Sequence, residues 1–239
     1  MIDEIFQHLP AIAKKINISW KNKNIINSEY SIIVNGIQKM KDLNPDYEFC
    51  IHDDDDVEAY LQANLDSADY SLIKDKRIVE KTDLWRLLII YEQGGIYANI
   101  ERFCNIPFSK IITSDEIKCV LPTYFNADVS QDIIISCSGN PILKKAIDLN
   151  LLRRRQSHRP DIYFLGPVTY FNAATEVLLG KSYNRDPGIT VMERLRELIH
   201  SSKHMKTYRE EPFFNTITYR GIPVINDKNS MYRDEQVVQ

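Results

Sequence analysis

Hydrophobic and polar positions along the chain follow two periods, and the switches between them mark out the elements. Lys15 to Trp20 has period two, with Ile16, Ile18 and Trp20 on one face, as in a half-buried strand. Behind Ser28, whose hydroxyl can cap a helix, Ile32, Ile33, Ile37 and Met40 recur at helical spacing. Asn44-Pro45-Asp46 signals a turn, and Tyr47 to Ile51 reads as a second strand. The acidic run Asp53 to Asp56 then precedes a short helix over Val57 to Leu65. Val79 to Gln93 carries the strongest helical pattern, with Leu84, Leu87, Leu88 and Tyr91 as an apolar stripe. Gly94-Gly95 ends that helix, because glycine accepts the left-handed conformation a helix terminus wants. Ile96 to Ile100 follows as a strand. Further strands are predicted at Lys118–Leu121, Asp132–Ser136 and Thr216–Tyr219, and helices at Pro141–Arg154, Pro167–Leu179 and Thr190–Ser201. Strand and helix alternate, so the expected class is α/β, with a mainly parallel central sheet flanked by helices.

Composition sharpens this picture only in places. With 239 residues, 44% hydrophobic and 26% charged, the chain can bury a full core, and no repeat, low-complexity stretch or linker divides it. One domain over residues 1–239 is expected. The net charge of −3 argues against a nucleic-acid partner, since phosphate-binding surfaces show as a basic excess. The one basic run, Arg153-Arg154-Arg155 with His158 and Arg159 nearby, reads first as a solvated helix end. An anionic-ligand contact is the alternative. Cys50, Cys104, Cys119 and Cys137 show no zinc-like or C-x-x-C spacing and read as reduced thiols. The N-terminus has no secretory pattern, and no run of about 18 apolar residues predicts a membrane span. A cytoplasmic protein is expected.

Candidate chemistry gathers between Lys81 and Glu101. Asp83 and Arg86 lie three apart on a helix and share a face. On the following strand Tyr97, Asn99 and Glu101 face one way. Oxygen-bearing groups at i and i+2 at a strand's carboxyl end can share a divalent cation, and open α/β sheets bind ligands at that end. A hard cation there suits a diphosphate leaving group.

These residues, with others, resemble the DXD-containing glycosyltransferase sugar-binding-region family, glycosyltransferase family 32. The resemblance rests on Ile16-Asn17-Ile18-Ser19-Trp20, on Asn44-Pro45-Asp46-Tyr47-Glu48 followed by His52 and the aspartate run, and on Lys81 to Glu101 with Asp83, Arg86, Gly94, Gly95 and Tyr97 in register. Asn140-Pro141-Ile142-Leu143 and Leu165-Gly166-Pro167 extend it, so that it spans roughly residues 12 to 170. It implies a GT-A fold and transfer of a hexose, with retention, from a nucleotide-sugar donor (UDP-hexose preferred, GDP-hexose the alternative) to a glycan or other hydroxyl acceptor. A nucleotide-sugar-binding part over roughly 12–125 and an acceptor-side part over roughly 126–239 follow from it. With no membrane stem read in the sequence, a cytoplasmic enzyme of polysaccharide biosynthesis, in a bacterium or a large virus, is expected.

Residue by residue, the resemblance implies that Trp20 borders the base and that Asp83 and Arg86 sit near the ribose, sugar or phosphates. Tyr97 and Gly166 join the donor site, and Asp132 lies near the transferred sugar, giving Asp83, Arg86 and Asp132 as candidate catalytic residues. Plainer readings stay open: a structural Asp83–Arg86 ion pair, core packing for Trp20, a strand-end cap for Asp132. The D-x-D positions hold Asn99 and Glu101, so Mn²⁺ or Mg²⁺ is expected on Glu101 with Asn99, at lowered affinity. The histidine-bearing C-terminal segment of the family is also missing, with Asp227 or Asn229 as the available substitutes. No covalent nucleophile is evident, so same-face attack by the acceptor hydroxyl is the expected mechanism. The altered motif keeps a second class open, a catalytically impaired sugar-nucleotide or glycan-binding relative. A metal-dependent phosphohydrolase or nuclease using the Asp53–Asp56 run is the third. That run itself reads as a solvated loop, with one carboxylate approaching the nucleotide pocket as the alternative.

Overall fold

The computed structural model describes residues 2–27, 31–124, 128–156 and 161–209, together with the backbone of 214–216, 218–219 and 222–223. Ser28, His158, Arg159, Asp227 and Asn229 lie outside the described residues. A short helix α1 (Ile2–Phe6) leads to strand β1 (Lys15–Ser19), helix α2 (Ser31–Leu43) and strand β2 (Glu48–His52). Helices α3 (Asp54–Asn64), α4 (Ser67–Ser71) and α5 (Ile78–Gln93) precede strands β3 (Gly95–Ala98), β4 (Arg102–Cys104), β5 (Cys119–Tyr124), β6 (Asp128–Val129) and β7 (Ile133–Ser136). Helices α6 (Pro141–Gln156), α7 (Thr169–Leu179) and α8 (Ile189–His200) follow, then β8 (Met205–Arg209). Of the predicted strand at Thr216–Tyr219, Thr216 ends β9 (Phe214–Thr216), which pairs with β4, and Thr218–Tyr219 forms β10, which pairs with β11 (Ile222–Pro223).

The main sheet has seven strands in the order β2-β1-β3-β7-β5-β6, with β8 beside β5. Pairing is parallel for β1–β2, β1–β3 and β5–β8 and antiparallel for β3–β7, β7–β5 and β5–β6. Five strands therefore run one way, and only β6 and β7 oppose them. The expected α/β class is the one observed.

Both faces of the sheet are covered, which is why its strands are apolar on both sides. Ile16, Ile18, Ile96, Ala98, Ile133 and Ile135 pack toward α2. Tyr97, Ile134, Cys119 and Leu121 pack toward α5, α6, α7 and α8. Helix α5 is enclosed on every side, with each residue from Thr82 to Ile90 buried. The leucine stripe read from the sequence is one part of a wholly buried surface, and Asp83 and Arg86 go inside with it. Gly94 caps α5 at φ 67°. Gly95 has φ 101°, and a Cβ there would lie 2.6 Å from the Lys15 carbonyl oxygen. The glycine pair thus ends the helix and lets β3 start against β1.

Three expectations are corrected. The acidic run is no solvated loop: α3 begins inside it, and Asp53 is its N-cap. The Asp56 N–H donates to Asp53 Oδ1 (3.0 Å) and the Asp53 N–H to Asp56 Oδ2 (3.2 Å), a capping box that also sets negative charge at the helix N-terminus. Lys23 Nζ closes on Asp56 at 2.7 Å. The basic run is no solvated helix end either, because Arg153 and Arg154 are only 8% and 5% exposed. Finally, β3 stops at Ala98 and not at Ile100: the Arg102 N–H donates to the Asn99 carbonyl at 2.8 Å, so the chain reverses there. No helix among the described residues is long and apolar enough to cross a membrane.

Candidate active site

The tight turn Asn99–Arg102 brings together what strand alternation alone would not. Strands β3 and β7 are antiparallel, with Ala98 opposite Ile133, so the C-terminus of β3 meets the start of β7. The Asn99 N–H donates to the Asp132 carbonyl at 2.7 Å, one step beyond the ladder. Helix α5 runs beneath this point and presents Asp83 and Arg86 from below. The π-helical turn Phe164–Val168 closes the other side.

Asn99 is the centre of the cluster. Its Oδ1 accepts from the Tyr97 hydroxyl (2.6 Å) and from an Arg86 NH group (3.1 Å). Its Nδ2 donates to Glu101 Oε1 (3.0 Å) and to Asp132 Oδ1 (3.2 Å). A carboxamide has two acceptor and two donor positions, so every one is used. The orientation follows from chemistry, since a guanidinium can only donate and must face the oxygen. What Asn99 turns toward the two carboxylates is therefore N–H, and its oxygen is held away from them.

The remaining groups fall into pairs. Asp83 and Arg86 form a buried ion pair, and Arg86 also donates to the Gln131 carbonyl at 3.1 Å. Its guanidinium lies 5.1 Å from the centre of the Tyr97 ring. Arg102 reaches Asp132 Oδ2 at 2.6 Å. Two guanidiniums thus face three carboxylates, and Glu101 is the one left over. Its Oε2 is sealed from solvent and has no hydrogen-bond partner among the described residues. Burial first, and then the neighbouring Asp132 charge, push the Glu101 carboxyl above the ordinary range. Burial likewise raises the Tyr97 phenol, keeping it a neutral donor toward Asn99.

A divalent cation fits this donor set in part. Glu101 offers an unpartnered carboxylate oxygen, and Asp132 stands beside it. Among the described residues no three His, Cys, Asp or Glu side chains gather into a complete site. A hard cation here would complete its shell with phosphate oxygens and water, as Mg²⁺ commonly does.

Most residues singled out from the sequence converge: Asp83, Arg86, Tyr97, Asn99, Glu101 and Asp132 form one bonded network. Gly166 joins it by contact, because a Cβ there would fall 2.6 Å from Gln131 Oε1 and 3.7 Å from Asp83 Oδ2. Trp20 does not converge. It is 6% exposed and packs in the α2-side core, on the face of the sheet opposite α5. Gln131 and Arg102 were not foreseen. Gln131 is buried, and its Nε2 donates to the Asp83 carbonyl at 3.1 Å. Nothing in its local sequence marks it, whereas Arg102 could have been suspected as a cation one residue beyond the motif.

Residues 32–118 match the family model described as the glycosyltransferase sugar-binding region containing the DXD motif. Over 121 residues, 44% of the chain, the sequence is 26% identical to inositol phosphoceramide mannosyltransferase 3 of Schizosaccharomyces pombe. The match spans 30% of that protein's length. The structure superposes on the PaToxG glycosyltransferase with a TM-score of 0.55 at 19% identity, covering 83% of this chain and 80% of that one. At that identity the likeness speaks for the fold alone. The family resemblance read from the motifs and the α/β fold read from the periodicity are both shown.

Proposed function

We propose, for a chain whose residues 32–118 carry the sugar-binding region of the DXD-containing glycosyltransferases, that it transfers a hexose from a nucleotide diphosphate sugar to a hydroxyl acceptor with retention. The observation that carries the reading is the Asn99 network, which ties Arg86, Tyr97, Glu101 and Asp132 into one rigid arrangement at the end of β3. UDP-hexose is the preferred donor and GDP-hexose the alternative, with mannose a candidate because the relative is named a mannosyltransferase. The part over roughly 12–125 holds the nucleotide sugar, and 126–239 serves the acceptor, a glycan in polysaccharide biosynthesis. Four unpaired thiols support a reducing, cytoplasmic setting.

Glu101 and Asp132 would hold Mn²⁺ or Mg²⁺, which when bound neutralises charge on the departing diphosphate. Arg86 does not meet the donor as a free cation; buried on Asp83, it fixes the Asn99 oxygen and so the direction of both Asn99 N–H bonds. Asn99 in turn sets Glu101 and Asp132 at fixed separation before any ligand arrives, the preorganisation that lowers a barrier without later rearrangement. With Asp83 and Arg86 positioning from below, Asp132 would be the carboxylate beside the transferred sugar. The acceptor hydroxyl attacks on the face the diphosphate leaves.

Calorimetric titration of UDP and GDP, with Mn²⁺, Mg²⁺ or chelator, followed by a donor-turnover assay, tests the reading. Metal-enhanced nucleotide binding with turnover that Glu101→Ala abolishes is expected. Near-normal turnover by that variant would sink the metal assignment, and no nucleotide binding would sink the enzyme. The exchange at Asn99 favours one rival, a binding-only relative, which would bind nucleotide and never turn over a donor.

A further inference from the structure

The basic run divides into three different environments. Arg155 meets Asp69 at the surface. Arg154 is bonded to Asn150 Oδ1 (2.7 Å) and to the Glu80 carbonyl (3.1 Å), with the Glu80 carboxylate 3.6 Å away. Arg153 has no carboxylate partner among the described residues. One of its NH groups donates to the Phe164 carbonyl (3.1 Å) and to Thr169 Oγ1, and its guanidinium lies 3.9 Å from the Phe164 ring centre. A guanidinium buried without a counter-charge is costly, and a ring face offsets only part of that cost.

Arg153 lines a cavity of about 570 Å³ between α6, α7 and the segment Ser182–Asn184. That volume is within the range of small-ligand sites. A second side chain on its wall is also incomplete. Asn172 is 1% exposed, its Nδ2 donates to the Arg185 carbonyl at 3.3 Å, and its Oδ1, itself buried, has no partner among the described residues. Lys145 and Glu176, also on the wall, neutralise one another in an ion pair, so Arg153 leaves the pocket with one positive charge in excess. Gln156, Tyr183 and Asn184 add hydrogen-bonding groups, while Leu149, Leu152 and Phe164 supply an apolar face.

An unbalanced cation calls for an anion, the polar groups of Gln156, Tyr183 and Asn184 suit sugar hydroxyls, and an apolar wall suits the C–H face of a pyranose. We propose that this pocket binds a saccharide bearing a carboxylate or phosphate, with the anion on Arg153 and its hydroxyls on the polar groups of Gln156, Tyr183 and Asn184. The site is separate from the Asn99 network and does not depend on the donor reading. The two are neighbours, since Phe164 walls the pocket while Gly166, two residues on, rests against Gln131 and Asp83.

The test is calorimetric titration of glucuronate, glucose 6-phosphate, glucose and inorganic phosphate into the intact chain, with UDP titrated in parallel. Both acidic sugars should bind about tenfold or more tighter than glucose, as a charge-assisted contact provides, and glucose 6-phosphate tighter than phosphate. Arg153→Gln should remove the preference for the anion. Leu152→Trp, at a rim position 43% exposed, should block binding while leaving the melting temperature and UDP binding unchanged, which keeps the test open if Arg153→Gln does not fold. No acidic-sugar binding to the folded parent, equal binding of glucose, phosphate binding as tight as glucose 6-phosphate, or normal binding by Leu152→Trp would each overturn the proposal. Failure of UDP alone would count against the donor site and leave this pocket standing.

Discussion

Replacing Asn99 by aspartate installs the acid that the family resemblance expects at this position, and the network predicts what that does. Two N–H···carboxylate contacts, at 3.0 Å to Glu101 and 3.2 Å to Asp132, become contacts between like charges. A hydrogen bond to a charged group contributes about 1.5–3 kcal/mol. Two unit charges about 4 Å apart at an effective dielectric near 20 repel by about 4 kcal/mol. The new attraction to Arg86 cancels roughly one such repulsion, and rotation of the side chains relieves part of the rest. A net loss of about 3–5 kcal/mol remains, or roughly 10 °C or more in melting temperature for a chain of this size. A divalent cation among the three carboxylates would remove the repulsion. Thermal denaturation of Asn99→Asp at about pH 8 should therefore show a large deficit in chelator that Mn²⁺ largely restores, whereas the parent without nucleotide shifts by less than about 3 °C. Asn99→Ala, which loses the bonds and adds no charge, should fall by less and ignore Mn²⁺. An Asn99→Asp variant as stable as the parent in chelator, or one whose deficit metal cannot touch, would refute the reasoning.

Gly166→Ala should cost about 1–3 kcal/mol by overpacking, because the added methyl meets the buried Gln131 amide at 2.6 Å; urea melts read the loss, and a neutral result would show that Gln131 is free to move. Asp53→Ala removes the capping-box acceptor of α3 and should cost about 0.5–2 kcal/mol, with UDP affinity unchanged in the same titration. Glu101 has its carboxyl pKa raised by burial. The folded state therefore binds that proton more tightly than the unfolded one, and stability falls as pH rises from the ordinary carboxylate value through the raised one. Glu101→Gln removes that dependence, so chemical melts should find it more stable than the parent near about pH 8, with the gap closing toward about pH 4. A gap that widens on acidification would show the carboxylate to be stabilised when charged.

How much of this could be seen in the sequence depended on distance along the chain. The elements were legible because period two and helical period reflect packing on a sheet and a helix, and because Gly94-Gly95 has a local reason to end α5. The charge runs were not legible. Asp53 and Asp56 cap a helix by a bond of three residues' span, yet as four adjacent acids they look solvated. Arg153, Arg154 and Arg155 are chemically identical, and only the helices packed against them decide which is paired with Glu80, which with Asp69 and which with neither. The types in the candidate site were visible, but its connections were not, since Arg86 reaches 13 residues to Asn99 and 45 to Gln131. Alternation put Asn99 and Glu101 on one face for the wrong reason; a turn does it.

The asparagine can also be weighed as decay against replacement. A drifted residue in a disused site would be expected to leave buried donors or acceptors unmet around it, since nothing maintains their geometry. Asn99 leaves none of its own and answers a guanidinium, a phenol and two carboxylates at once. Arg86 Nε and Glu101 Oε2 beside it have no partner among the described residues, so the amide orders the cluster without satisfying all of it. An aspartate could accept from Arg86 and Tyr97 but could not donate to Glu101 and Asp132 without a proton or a cation between them. The amide therefore orders the ligand-free cluster by hydrogen bonds in place of charge neutralisation. It satisfies one oxygen of Glu101 and leaves the other, Oε2, buried and without a partner among the described residues. On the proposed reading, that unmet acceptor is where a cation would have most to gain once the side chain turns toward it, so Glu101→Ala should weaken metal-dependent nucleotide binding more than Asn99→Ala does.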